Sequence, residues 1–323
     1  MPGVGVDAVP QVSKRRLPAS GLEVSSLTFA LDPPASPHPE ADALTVRSLQ
    51  KARDHGVISF DLSAARHPLR AQLLVAEAFP GPDPSLVIFV GGGSGFPRTA
   101  RGEAAPSGAA LPDGGRASVS SLEESVDRMG LKRPPVLLWR TDPRAQGVPD
   151  DIPDVLAELI SRGLIADWGI ELDREAGLPA LRPAVDPPAL YAGPLSLLDR
   201  RLLPSLEERA ATAKLGYLVR DPYAGGRLDG SRFAGSVGDR SPRASPTRLR
   251  DLEADFGPIL PLAFLTAGRR RTLSEAALLF AFRFPWVSTI SVPLPPPERL
   301  ESTLRAERAS PLGVDELARL GTL

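Results

Sequence analysis

No cysteine occurs anywhere in the chain, which excludes disulfides, thiol nucleophiles and thiolate-bound metals. Histidine is almost as scarce. His38, His55 and His67 are the whole set, and no two of them stand at metal-ligand spacing, so nothing supports a metal centre. Tyrosine is confined to Tyr191, Tyr217 and Tyr223, and lysine to Lys14, Lys51, Lys132 and Lys214, against abundant arginine. Neither sign of charge dominates: the formal net charge is -1, with no long basic run. Nucleic acid and anionic membrane surfaces are therefore not expected partners. No apolar run reaches the roughly 18 residues that cross a bilayer. In MPGVGVDAVPQVSKRR the basic residues follow the weakly apolar part, the reverse of a signal peptide. The expected place is the cytoplasm.

What is present is the material of an ordinary folded core. The 323 residues are 42% hydrophobic and 24% charged, enough for one large α/β domain or two smaller ones. Residues 1–13 read as a disordered leader and 14–323 as the folded part. Arg15-Arg16-Leu17-Pro18 and Leu22-Glu23-Val24-Ser25, turned at Ser20-Gly21, make a hairpin. Apolar strands are expected at 27–31, 57–61, 86–90, 136–139, 165–170, 189–195, 216–220 and 287–292. Helical stretches at 42–54, 69–78, 121–131, 154–162, 203–214, 248–256, 272–284, 297–307 and 313–321 alternate with them. Leu86 to Val90 is uninterruptedly apolar, as in a strand buried on both faces. The alternation argues for a parallel sheet, either a doubly wound one or a (β/α)8 TIM barrel. Two polar or Gly-rich stretches, 91–118 and 227–247, are long for connections.

The centre of the chain is Lys51 to Pro68, KARDHGVISFDLSAARHP. A helix ends at His55-Gly56 and a short buried strand runs up to Asp61, placing a carboxylate where parallel α/β folds build their sites. This passage resembles the first helix and second strand of the aldo/keto reductases. The likeness continues in order along the chain: the hairpin, "SLEESVDRMG" at 121–130, "LISRGLIADWGI" at 159–170, "SLLDR" at 196–200 and "DPYAGG" at 221–226. It implies an aldo/keto reductase-like (β/α)8 barrel with an N-terminal β-hairpin across its floor, and reduction of carbonyls with NADPH.

That family works with four residues: an aspartate, a tyrosine that gives the proton, a lysine that lowers its pKa, and a histidine that orients the carbonyl. Hydride addition leaves an oxyanion that must be protonated at once. On the matching positions only Asp61 survives. The tyrosine position holds Arg66, the lysine position Gly91 and the histidine position Trp139. The cofactor contacts are altered too: Glu171-Leu172 replaces a Ser-Asn pair, Ala192 a glutamine, and Arg220 the aromatic that would stack on the nicotinamide. In the segment that grips the 2′-phosphate, Pro295 stands for the basic residue and Thr303 for the asparagine. Prolines there also lack amide donors. Hence no cofactor is expected, and NADPH only if the family label holds.

Charged residues stand at the strand ends instead: Asp61, Arg66, Arg140, Asp142, Glu171, Arg220 and Asp221. Arg66, Trp139, Arg140, Glu171 and Arg220 are the candidate ligand contacts for a small anionic or zwitterionic molecule. The same charges are also suited to pairing with one another and filling an emptied cleft. Gly91 to Gly95 is either a phosphate cradle or a flexible loop, and no Lys-Ser/Thr follows it. Three functions remain open: a binding or regulatory protein with a small-molecule or a protein partner; an enzyme of altered, non-redox chemistry using Asp61; and an ordinary NADPH-dependent oxidoreductase.

Overall fold

A computed structural model of the chain describes residues 11–93, 116–140, 152–172, 188–212, 214–231, 256–269 and 271–322. Strands β1 (Lys14–Arg16) and β2 (Glu23–Ser25) form the antiparallel hairpin. Its turn closes with Gly21 N–H on the Leu17 carbonyl at 2.8 Å, and Gly21 adopts φ +73°, a conformation a side chain would strain.

Eight further strands close a parallel barrel: β3 (Leu27–Ala30), β4 (Ser59–Asp61), β5 (Val87–Gly93), β6 (Val136–Arg140), β7 (Asp167–Glu171), β8 (Leu190–Pro194), β9 (Tyr217–Arg220) and β10 (Val287–Pro293). β10 pairs with both β9 and β3, so the sheet has no edge. Of the two architectures left open by periodicity, the barrel is the one formed. Helices Pro39–Asp54, Pro68–Ala78, Leu203–Thr212, Leu273–Phe282 and Pro297–Arg305 lie where the apolar periodicity puts them, within a few residues at each end. An unforeseen 3-10 segment, Leu260–Arg269, precedes the helix Leu273–Phe282. The expected helix at 248–256 falls outside the described residues but for its last position, as do most of the stretches 91–118 and 227–247. No helix among the described residues is long and apolar enough to cross a membrane.

Alternation along each strand divides the apolar residues into two cores. One contains Val87, Phe89, Val136, Leu138, Leu190, Ala192 and Leu218, with Leu17 and Val24 of the hairpin and no helical residue. This is the barrel interior, floored by the hairpin. The other contains the intervening residues Ile88, Val90, Leu137, Trp139, Ile170, Tyr191 and Val219, packed against the helices. Gln11–Ser13, assigned by composition to the leader, lie against the barrel: Val12 is buried and its N–H bonds the His55 carbonyl at 2.9 Å.

Candidate functional site

The interior phase of the strands sets which side chains reach the mouth at their C-terminal ends. Phe89 faces in, so Gly91 does. Val136 and Leu138 face in, so Arg140 does, while Trp139 turns out among the helices. Leu218 faces in, and so does Arg220. Asp61, Arg140, Glu171 and Arg220 meet as a chain of alternating charge. Arg220 Nη2 lies 3.3 Å from Asp61 Oδ2, its Nη1 3.0 Å from Glu171 Oε1, and Arg140 Nη2 3.1 Å from the same Glu171 oxygen.

Asp61 is the inner end, with its side chain 1% exposed. Its Oδ1 accepts from the Ser63 amide at 3.0 Å and from the Ser63 hydroxyl, and its Oδ2 from the Ser291 hydroxyl at 3.0 Å. Arg220 also donates to Ser63 Oγ. The carboxylate is therefore fully engaged by Arg220, Ser63 and Ser291, leaving it poorly placed to act as a base. Arg220 is buried. Desolvation pushes its pKa down, but Asp61 and then Glu171 outweigh it, and the net shift is upward. Its Nε is buried without an acceptor among the described residues. Arg140 forms the outer end and is 41% exposed.

Two of the sequence candidates do not join this group. Arg66 lies outside the rim, 76% exposed, its Nε 2.8 Å from Asp32 and its amide bonded to the same carboxylate at 3.0 Å. Trp139 is buried on the outer side of the strand and contributes packing, not a surface for a ligand. Both therefore leave the set of pocket residues: Arg66 because Asp32 captures it, Trp139 because of strand parity. Asp142 lies outside the described residues. Ser63 and Ser291 were not foreseen. The signal for Ser63 was its place two residues after Asp61, where a hydroxyl and amide can turn back onto the carboxylate.

No tyrosine takes the missing proton-donor role. Tyr217 faces the outer core and donates to the Pro194 carbonyl at 3.4 Å. Burial raises the pKa of Tyr217, Tyr191 and Tyr223 alike, opposite to what proton donation to an oxyanion requires. Among the described residues no group of three or more histidines and carboxylates could hold a metal.

Beside Arg220, over the ends of β8 and β9, lies a cleft of about 450 Å³ whose walls include Asp199, Arg201, Asp221 and Arg227. Arg201 Nη2 and Asp199 Oδ2 pair at 3.1 Å in its wall. Asp221 and Ala224 hold left-handed backbone, φ 50° and 52°, and the turn is fastened by the Gly225 amide on Asp221 Oδ1 at 2.6 Å. Strained non-glycine backbone of this kind persists where surrounding contacts over-determine it.

No family model matches the chain, and no curated protein sequence does. Solved structures do. The holo form of the aldo-keto reductase AKR11C1 from Bacillus halodurans superposes with a TM-score of 0.68 at 18% identity, over 97% of this chain and 96% of its own. Its apo form gives 0.65 at 17% identity, with the same coverage. The thermostable aldo-keto reductase Tm1743, in complex with the inhibitor epalrestat, gives 0.68 at 16% identity over 96% of this chain and 99% of its own. The chain has the fold of the aldo-keto reductases along nearly its full length.

Proposed function

We propose that this chain is a divergent aldo/keto reductase-like barrel that does not transfer hydride from NADPH and instead holds a small anionic or zwitterionic molecule at its mouth, as a binding or regulatory protein. The observation that carries this is Arg220. Its guanidinium bridges Asp61 and Glu171 at 3.3 and 3.0 Å, and lies over the one carboxylate that the family's chemistry would share.

The residues present do not suit a dinucleotide. A nicotinamide ring needs a flat apolar surface and open space above Asp61, and a cation fixed between two carboxylates offers neither. From the last residue of β10 the chain reads Pro293, Leu294, Pro295, Pro296, Pro297. Pro296 caps the helix Pro297–Arg305 without a side-chain bond. Of the amides left there, Leu294 N–H bonds the Ala30 carbonyl at 3.0 Å and Arg299 N–H the Pro296 carbonyl at 2.9 Å. A phosphate at that helix start would find few free donors. Arg140, the outer and more exposed cation of the group, is the contact we assign to the anion.

Titration of the purified protein with NADPH, followed by nucleotide fluorescence, tests the first half. No saturation up to ~1 mM is expected, whereas a dissociation constant near ~1 μM restores the oxidoreductase reading that the likeness to a holo aldo-keto reductase favours. Calorimetric titration with L-glutamate and with succinate tests the second half. Binding that disappears in Arg140→Ala supports the mouth as the site, and binding to neither compound removes it.

A further inference from the structure

The opposite, N-terminal face of the barrel carries a groove of about 430 Å³ lined by Arg15, Arg16 and Arg283, with Phe282, Pro285 and Ser288 among them. None of its described lining residues is acidic. Two of the arginines are set by contacts other than a carboxylate. Arg15 donates Nη1 to the Val287 carbonyl at 2.6 Å and lies over the Phe282 ring at 5.1 Å. Arg283 lies over Phe284 at 4.8 Å and Phe280 at 5.9 Å. Guanidinium groups resting on rings keep their in-plane N–H donors for an acceptor at the edge.

Two carboxylates stand near, and both are engaged elsewhere. Glu23, opposite Arg16 in the hairpin, pairs with Lys14 at 3.2 Å. Glu307 accepts from the Ser13 amide at 3.2 Å and from the Ser13 hydroxyl. Burial pulls the pKa of Arg15 below the ordinary arginine value, and the field of Glu307 restores only part of it. An anion added to the groove would compensate the remainder.

The backbone is shaped to the same place. β10 is bulged at its start: Val287 stands opposite Tyr217 and Thr289 opposite Leu218, so Ser288 is skipped by the pairing with β9. A bulge re-aims the extra residue, and Ser288 borders the groove beside Val287.

We propose that this groove binds a small organic phosphate. Arg15, Arg16 and Arg283 converge on the phosphate, the Ser288 hydroxyl adds a donor, and the Phe282 and Pro285 surfaces cover the organic part. A single guanidinium fork satisfies a carboxylate, whereas three forks match the several oxygens and double charge of a phosphate.

Calorimetric titration of the full chain with phenyl phosphate and with inorganic phosphate tests it. Arg16 and Arg283 make no ion pair among the described residues, so Arg16→Ala and Arg283→Ala should leave the circular dichroism unchanged, with the melting temperature unchanged in the first and lowered by a few degrees at most in the second, which loses its ring contacts. Arg15→Ala is avoided because it also removes the hairpin's bond to Val287. The expected result is one-to-one binding of phenyl phosphate below ~1 mM, several-fold tighter than inorganic phosphate and at least ~10-fold weaker in each variant. No binding, binding unchanged in both variants, or loss in Arg140→Ala instead would each overturn the site. Equal affinity for the two phosphates would overturn its assignment to an organic one.

Discussion

Arg220 is the residue on which the mouth turns. Removing it alone, as in Arg220→Met, leaves Asp61 and Glu171 facing each other with no cation between them, at a cost on the order of 3–5 kcal/mol. Neutralising the three inner members, Asp61→Asn with Glu171→Gln and Arg220→Met, should recover most of that loss, because the expense lies in an unpaired buried charge and Arg140 is exposed enough to be solvated. Urea denaturation of both variants checks this, and equal destabilisation would mean that the ion pairs do not govern the mouth. A second residue is held at a disadvantage. Asp167, at the floor, has its pKa raised by burial, only partly offset by hydrogen bonds from Ser20 and the Trp168 amide, and its Oδ2 lacks a partner. A raised folded-state value means that folding prefers the protonated form, so stability is lost as pH climbs through that value. Asp167→Asn should therefore melt higher than the parent at pH 7, with the gain vanishing below about pH 4. At this scale the sequence was legible where charge ends an apolar strand, as at Asp61, Arg140, Glu171 and Arg220. Trp139 was misjudged because matching by motif ignores parity: counting inward-facing residues from Val136 through Leu138 reaches Arg140. Arg66 was misjudged because its partner, Asp32, lies on a different loop.

Individual elements were legible to the degree that burial is one-sided or complete. β5 announces itself as a continuous apolar run because both faces are covered, whereas β10, VSTISVP, is as buried but carries Ser288, Thr289 and Ser291 within it. The 3-10 segment Leu260–Arg269 carries no such period and contains a break at Ala267 and Gly268, so pattern could not find it. The buried helix Leu273–Phe282 that follows begins with a capping box: Thr272 Oγ1 accepts from the Glu275 amide at 3.2 Å, and Glu275 Oε2 from the Thr272 amide at 2.7 Å. Thr272→Ala should lower stability by about 1 kcal/mol, read as a lower denaturation midpoint at constant slope. In β7, a Cβ on Gly169 would come within 2.7 Å of the Leu190 carbonyl oxygen and 2.9 Å of Leu138 Cδ2. Gly169→Ala must therefore push apart two barrel strands, and it should cost more than the cap substitution in the same assay.

For the whole molecule, the order of strands and helices was readable but barrel closure was not, since a doubly wound sheet alternates in the same way; motif order along the chain decided it. What the likeness to aldo-keto reductases cannot carry over is the site, because fold and chemistry are set by different residues. The barrel's two ends have separate chemistry, a neutral ion-pair chain above and a basic groove below, so salt or phosphate acting at one should leave the other unchanged.

The hairpin that floors the barrel is made early in the chain but fastened late. Arg15 bonds Val287, Ser13 bonds Glu307, and Arg308 Nη2 donates to the Gln11 carbonyl at 2.7 Å, contacts separated by 272, 294 and 297 residues. During synthesis, the first folded residues find early partners at His55 and Ser59 but must wait for nearly the last residues before their fastening is complete. A nascent polypeptide halted short of Val287 would leave the ribosome as an unsealed tube, its hairpin held on one side only.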